Sequence, residues 1–354
     1  GIPVWRLLPS AGAALLAFGL RLNALDGTAA GDPDRLMLAA TRAPLLILDG
    51  LRGIALQRPF GLRHLGLEYE SLGSWVLAGA ALLLAAPGLW ATAWPAWDEF
   101  ALAYVQDDGR VVDWTTEART VSEGQAYALF FALVADDRAR FERILNWTSN
   151  NLARGDLAQH QPAWLWGRDE HGRGRALDEN PASDADLWIS YTLLEAGRLW
   201  SRPQWVRLGL ALLDRISAQE VRAAGAHRVL MPAPQGFVSD QGLRLNPSYW
   251  PPFQLAYFAA VQPDGPWQQL LDDYQHFMPD LCPGGRVPDW FLLTEYGPRL
   301  DLESGGQGGY DAIRVYLWAA FGPEDLPAAQ ALRRELRPFA DLVRAIGRPP
   351  ERWY

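Results

Sequence analysis

The chain has 354 residues, of which 49% are hydrophobic and 21% charged, and its formal net charge is −9. This composition is typical of globular proteins and excludes the disordered, collagen-like and multi-span membrane classes. An acidic chain lacks the basic surface that nucleic-acid binders use, so we exclude nucleic acid as a partner.

The cysteine and histidine content argues against a metal centre. Cys282 is the single cysteine, and the five histidines show no H-E-x-x-H or H-x-H spacing. The sequence also lacks a P-loop, a G-x-G-x-x-G fingerprint and a G-x-S-x-G elbow. We therefore predict no metal and no cofactor.

The N-terminal quarter divides into two segments. Residues 1–73 show no sustained helical or strand period and receive no functional assignment. Residues 74–92 contain an uncharged apolar run, WVLAGAALLLAAPGLWA, whose length suits the core of a signal peptide. A membrane anchor and a buried helix remain alternatives for this run.

Residues 93–354 form the predicted catalytic domain and hold 14 of the 17 tryptophans. Apolar residues recur there at helical spacing, and Gly-, Pro- or Asp-containing loops separate the segments. The predicted helices are 120–135, 138–152, 184–200, 203–218, 251–261, 264–278, 310–321 and 327–345, with short strands at Arg228–Met231 and Gly236–Ser239. Helix pairs without a repeat of fixed period favour an all-α toroid over a solenoid.

Glu123 is the first of three acidic positions that stand out by context. It begins an almost wholly apolar helix, and a carboxyl group against an apolar wall tends to have the raised pKa that a general acid requires. An acidic residue favoured by the helix dipole is the structural alternative.

Asp184 and Asp186 open the next such helix. Taken alone, their position favours a structural interpretation in which Ser183 or Asp184 caps the helix.

Asp311 follows a glycine-rich loop, with Arg314 three residues later on the same helix face. The pair is interpreted either as a simple salt bridge or as a guanidinium that keeps a base ionised.

Six ordered passages carry a family resemblance. They are Ala93-Trp-Pro-Ala-Trp-Asp-Glu-Phe, Thr120-Val-Ser-Glu-Gly-Gln-Ala-Tyr, Pro162-Ala-Trp-Leu-Trp-Gly, Ala182-Ser-Asp-Ala-Asp-Leu-Trp with Leu193-Leu-Glu-Ala-Gly-Arg-Leu-Trp, Asn246-Pro-Ser-Tyr-Trp-Pro-Pro and Tyr310-Asp-Ala-Ile-Arg-Val-Tyr. With these passages the chain resembles glycoside hydrolase family 8, and most closely the periplasmic endoglucanases encoded with bacterial cellulose synthase. Ser190 and Thr192 depart from the family signature, where smaller residues are usual.

The resemblance implies an (α/α)6 barrel that hydrolyses β-1,4-glucan with inversion. It implies that Glu123 is the general acid, that Asp311 is the general base, and that Asp184 holds the sugar before the cleaved bond. Trp164 and Trp166 suit stacking on glucose rings. The predicted substrate-binding set is completed by Tyr249, Tyr310 and Arg314.

The resemblance also implies a periplasmic or secreted enzyme whose partners are β-1,4-glucan chains and the cellulose synthase export machinery. Related enzymes continue past the passage that resembles Ala345–Pro350, so we expect the C-terminal hairpin of the barrel to be missing. Two alternatives stay open: the same fold acting on xylan, chitosan or mixed-linkage glucan, and a glucan-binding or assembly protein made inactive by truncation.

Overall fold

The computed structural model of the chain describes residues 94–353. Within this range there are nine α-helices: α1 Pro95–Tyr104, α2 Ser122–Val134, α3 Arg138–Leu152, α4 Ser183–Leu199, α5 Pro203–Gln219, α6 Pro252–Val261, α7 Trp267–Leu281, α8 Ile313–Phe321 and α9 Pro327–Ile346. The eight predicted helices correspond to α2–α9, with ends that differ by at most three residues. Helix α1 lies outside the predicted segments.

Short strands occupy the loops between the helices. The described residues contain β1 Thr120–Val121, β2 Leu165–Arg168, β3 Gly174–Asp178, β4 Val221–Ala224, β5 His227–Leu230, β6 Val238–Ser239, β7 Gly242–Leu245, β8 Phe291–Thr294 and β9 Gly297–Leu300. They pair antiparallel as β1-β2-β3, β4-β5 and β6-β7-β8-β9. The two predicted strands match β5, shifted by one residue, and β6. The other strands were not predicted.

Helices α2–α9 form four consecutive hairpins, each with an inner and an outer helix. In the inner helix α2 every residue from Ser122 to Leu133 is buried, and in α4 every residue from Ser183 to Gly197. The outer helix α5 instead buries one face, with residues Trp205, Gly209, Leu212, Leu213 and Ile216. A helix that is buried all round needs neighbours on every side, whereas a helix with one apolar stripe covers a core from outside. The hairpins therefore form concentric layers, as an α/α barrel requires.

Aromatic side chains from the inner helices fill the centre of this arrangement. The ring of Trp188 lies 4.8 Å from Phe130 and 5.5 Å from Trp318, measured between centroids. Phe253 and Phe321 stack at 5.5 Å with an interplanar angle of 19°. Rings at these separations and angles add favourable contacts beyond the area they bury. The barrel axis is thus a packed core, called here the aromatic interior.

The direction of the inner helices determines where a site can form. Each inner helix is followed at once by an antiparallel outer helix, so α2, α4, α6 and α8 run in the same direction, and α2, α4 and α8 begin at one end of the barrel. The long loops that leave the outer helices return to this same end. We call it the N-terminal rim, because the N-termini of α2, α4 and α8 meet there with their positive dipole ends. Helix α6 begins deeper in the barrel, where Phe253 in its first turn stacks on Phe321 at the end of α8.

The predicted segments 1–73 and 74–92 lie outside the described residues. Of the helices between residues 94 and 353, none combines the length and the apolar character needed to cross a bilayer. The division of the chain into three segments and the missing C-terminal hairpin stay predictions.

Candidate active site

Glu123 lies in the first turn of α2 at the N-terminal rim, and 5% of the residue is exposed. The Ser122 hydroxyl lies 3.5 Å from its Oε2 atom. The Ser122 N–H donates to the carbonyl oxygen of Trp164 at 2.9 Å, which fastens the loop before β2 to the start of the helix. Glu123 is therefore both buried and located at a helix N-terminus. Both interpretations of this residue, the structural one based on the helix dipole and the functional one as a general acid, are compatible with this position.

Asp184 lies in the first turn of α4 and is 1% exposed. The expectation that Ser183 or Asp184 caps this helix is wrong: Ala182 occupies the N-cap position, and no side chain caps the helix there. Instead the Asp184 Oδ1 atom accepts the neighbouring Ala185 N–H at 2.9 Å, and Oδ2 faces a cation from another helix.

That cation is Arg314, in the first turn of α8 and 2% exposed. Its Nη1 donates to Asp184 Oδ2 at 2.5 Å and to the Tyr127 hydroxyl at 3.3 Å, while its Nη2 donates to Asp311 Oδ1 at 2.8 Å. The Arg314 guanidinium carbon also lies 5.2 Å from the ring centroid of Tyr249. One buried guanidinium thus brings together four side chains from different parts of the chain.

Arg314 keeps its positive charge although it is buried. Burial disfavours the charged form, but Tyr127 and the carboxylates of Asp184 and Asp311 outweigh it and raise the pKa of Arg314 well above its ordinary value. Asp311 and Arg314 form the ion pair that their spacing indicated, and the bridge also includes Asp184. Both interpretations of the pair include this contact. Tyr127 was not predicted as a site residue, because an aromatic residue in an apolar helix is usually part of the hydrophobic core.

Asp311 lies in a turn just before α8, which begins at Ile313 rather than at the predicted residue 310. Its side chain is 21% exposed, in contrast to the buried Asp184. The Asp289 Oδ1 atom accepts N–H groups from this turn: Gly309 at 2.9 Å, Asp311 at 3.1 Å and Ala312 at 2.6 Å. Asp289 was not predicted, since it lies in an irregular loop far from Asp311 in sequence.

Two more acidic side chains lie near Asp184. Asp186 and Glu220 are fully buried, and Gln161 Nε2 donates to Asp186 Oδ2 at 2.8 Å. Burial raises the pKa of both carboxyl groups well above the ordinary range; the charge of Asp184 adds to this for both, and the Gln161 hydrogen bond opposes it. When Glu123 is ionised, its charge also raises the pKa of Asp186. Carboxyl groups crowded in a low dielectric retain protons, so this pair favours a neutral layer under the site.

The predicted stacking residues lie on the β1–β2 side of the rim. Trp166 pairs with Thr120 in the sheet, immediately before the helix that carries Glu123. The Arg110 guanidinium lies 4.2 Å from the centroid of the Trp166 ring, and Trp147 lies 5.4 Å away at a steep angle. Trp164 is half-buried beside the core. The Arg110 guanidinium thus covers part of the ring that was predicted to stack on a sugar.

Tyr249 and Tyr310 are the two tyrosines of the predicted substrate-binding set. Tyr249 is buried, with its ring 6.1 Å from Trp290, which in turn stacks on Phe237 at 5.7 Å. Tyr310 is half-buried, and burial and the charge of Glu351 raise the pKa of its hydroxyl. The structure links Tyr249 to Arg314 directly, whereas Tyr310 faces the C-terminal residues.

The arrangement suits proton transfer by carboxyl groups. One buried acid at a helix start and one partly exposed carboxylate held by an arginine provide two groups in different environments, which is what separates an acid from a base. Among the described residues, no group of His, Cys, Asp or Glu side chains has the geometry to hold a metal ion.

Comparisons with known proteins identify the family of the chain. The sequence model described as glycosyl hydrolases family 8 matches residues 75–347. The chain is 42% identical over 276 residues to an endoglucanase of Escherichia coli O157:H7, an alignment that covers 77% of this chain and 74% of that protein. It is 44% identical over 282 residues to an endoglucanase of Xanthomonas axonopodis pv. citri (strain 306), covering 78% and 73% respectively.

Among solved structures, the endo-1,4-D-glucanase of Vibrio fischeri ES114 superposes with a TM-score of 0.70 at 39% identity, covering 73% of this chain and 76% of that one. The expected (α/α)6 barrel class is thereby confirmed. The chain therefore belongs to family 8 of the glycosyl hydrolases and is a glycoside hydrolase.

Proposed function

We propose that this chain is an endo-β-1,4-glucanase that hydrolyses β-1,4-glucan with inversion at the anomeric carbon. The observation that carries the proposal is the Arg314 bridge. It joins Asp184 at 2.5 Å and Asp311 at 2.8 Å, at the rim where the buried Glu123 begins its helix. The relatives named endoglucanase and endo-1,4-D-glucanase support the choice of substrate.

In the proposed reaction Glu123 is the general acid. It donates its proton to the glycosidic oxygen as the bond to the anomeric carbon breaks. Its burial against apolar residues favours the protonated form that this step requires, while the helix N-terminus opposes it.

Asp311 is the proposed general base. It accepts a proton from a water molecule as the water oxygen attacks the anomeric carbon from the face opposite the leaving group. The Arg314 hydrogen bond favours an ionised Asp311, and the partial exposure of this side chain leaves room for a water molecule.

Asp184 and the aromatic residues have binding roles in this proposal. Asp184, fixed by Arg314, accepts hydrogen bonds from the sugar before the cleaved bond and favours its distortion. Trp164, Trp166, Tyr249 and Tyr310 provide ring faces and hydroxyl groups for the neighbouring sugars.

We also propose that the enzyme is secreted or periplasmic and acts on glucan during bacterial cellulose synthesis, next to the export machinery. The apolar run within residues 74–92 and the family resemblance support this. Fractionation of cells that express the full chain tests this proposal. We expect glucanase activity outside the cytoplasm, and we expect deletion of residues 74–92 to abolish this export.

Hydrolysis and binding measured in parallel on carboxymethylcellulose, xylan, chitosan and mixed-linkage glucan test the proposed function. We expect a rapid fall in the viscosity of carboxymethylcellulose with few new reducing ends, the pattern of an endo-acting enzyme. Preferred cleavage of another polymer would reject the substrate. Binding without hydrolysis of any polymer would reject the enzyme in favour of a glucan-binding protein.

A further inference from the structure

We propose that Asp289 is a positioning residue for Asp311: its carboxylate holds the turn that carries the proposed base and so sets where that base lies. The inference rests on the proposed function, because it assigns a role relative to Asp311.

The hydrogen bonds of Asp289 are concentrated on one segment. A single oxygen, Oδ1, accepts the N–H groups of Gly309, Asp311 and Ala312 at 2.9, 3.1 and 2.6 Å. The turn before α8 has no local substitute, since Ala312 is the N-cap residue and no side-chain cap is present. Free N–H groups at a helix start need acceptors, and Asp289 provides one from a loop more than 20 residues earlier.

The other end of the turn is fixed separately. Gly308 and Trp353 exchange backbone hydrogen bonds of 2.8 and 2.9 Å, and a Cβ on Gly308 would lie 2.1 Å from the carbonyl oxygen of Val287. Between Gly308 and the start of α8, three N–H groups of the turn donate to Asp289. Loss of the Asp289 carboxylate would therefore leave the Asp311 N–H without its acceptor and loosen the turn that carries this residue.

Asp289 also changes the charge around Asp311. Burial raises the pKa of Asp289, and the charge of Asp311 adds to this rise against the three N–H bonds. The interaction is reciprocal, so an ionised Asp289 opposes the effect of Arg314 and makes Asp311 a stronger base. The other charged or titratable groups around this turn and its partner Arg314 are Tyr127, Asp184, Tyr249, Tyr310, Glu351 and Arg352.

Two substitutions separate the two effects. In Asp289→Asn the amide oxygen still accepts N–H bonds, so the turn is held but the charge is lost. We expect kcat to be largely kept and the acid limb of the kcat/KM–pH profile to move to lower pH. In Asp289→Ala both are lost, and we expect kcat to fall by about 10²-fold, the size of effect that a small misplacement produces, with little change in KM.

A matched control exists at the opposite end of the barrel. Asp137 caps α3 by accepting the Arg140 N–H at 3.0 Å, so it is a capping aspartate remote from the rim. Asp137→Ala should lower Tm without a change in kcat or in the pH profile. A purely structural Asp289 would give this same result, which would overturn the inference.

The failure of the inference differs from the failure of the proposed function. An inactive Asp311→Asn protein together with a normal Asp289→Ala protein overturns only the positioning role. An active Asp311→Asn protein removes the base and overturns both. Should Asp289→Ala not fold, the pH profile of Asp289→Asn decides: a shifted acid limb supports the inference and an unshifted one rejects it.

Discussion

The inner helices carry charged or titratable side chains at their N-terminal ends and aromatic side chains further along their length. At the rim they carry Glu123, Asp184 and Arg314, which are almost fully buried although each is charged or titratable. One or two turns further on, the same helices carry rings such as Phe130 and Trp188 that are fully buried. Burial of the rings stabilises the fold, whereas burial of the charges opposes it unless each charge has a partner. The aromatic interior thus supports a rim that is costly for stability and useful for chemistry.

The largest effect is expected from substitutions that change only the N-terminal rim. Glu123→Gln and Asp311→Asn each keep the side-chain size and remove one proton-transfer group, so kcat should fall by about 10²–10⁴-fold while glucan binding stays close to normal. Steady-state kinetics with a binding assay measure both. The exposed residues Glu324 and Asp240 allow matched controls, Glu324→Gln and Asp240→Asn, which should remain fully active.

The second effect is expected from a substitution that changes only the aromatic interior. Phe321 lies at the end of α8 away from the rim, stacked on Phe253. Phe321→Ala should lower the free energy of unfolding by about 3–5 kcal/mol, the usual cost of an aromatic deletion in a core. Urea titration measures the loss, and Leu342→Ala on the exposed face of α9 is the control. A lost kcat in protein with unchanged stability would contradict the separation of interior and rim.

The third effect tests the bridge between Asp184 and Asp311. A lysine keeps the charge of Arg314 but cannot reach both carboxylates in the same fork, so Arg314→Lys should lose at least one ionic hydrogen bond, worth about 1.5–3 kcal/mol. We expect a lower kcat together with lower stability. Arg333→Lys is the control, because Arg333 donates to Ala319 and Gly322 carbonyl groups at the far end of α8. That variant should lose stability and keep kcat.

The smallest effect concerns the pH dependence of stability. The folded chain holds protons on Glu220 and Asp186 that the unfolded chain releases above about pH 4, because burial raises the pKa of both groups. The folded state then binds more protons, so this contribution to stability is complete at low pH and is lost as pH rises. Glu220→Gln should make the decline shallower by up to about 1.4 kcal/mol per pH unit.

Unfolding of wild type and Glu220→Gln by urea across a pH series from about 4 to 7 measures this change. Glu324→Gln, at an exposed position, should leave the pH dependence of the wild type unaltered. Parallel curves for Glu220→Gln and wild type would show that Glu220 titrates normally in the folded chain.

Sequence patterns predicted the hairpins because their helices have long, consistent apolar spacing. They missed α1, which is short and packs on Phe131 through Trp97 and Phe100. They also missed most of the strands, because strands of two to five residues depend on partners that only the tertiary fold brings together.

The site residues that local sequence patterns mark were predictable, whereas those that depend on tertiary contacts were not. Asp311 and Arg314 lie three residues apart, so local spacing alone brings them together. Tyr127 and Asp289 act across the barrel or between loops, and no local pattern marks them. The cap prediction at Asp184 failed because tertiary contact with Arg314 competes with local capping.

The anomeric form of the first product tests the central claim most directly. If Glu123 acts as acid and Asp311 activates water, each cleavage inverts the anomeric carbon. Proton NMR of a soluble β-glucan oligosaccharide, recorded within the first turnovers and before mutarotation, should show the α-anomer at the new reducing end. An initial β-anomer would mean a covalent intermediate and would contradict the roles assigned to this rim.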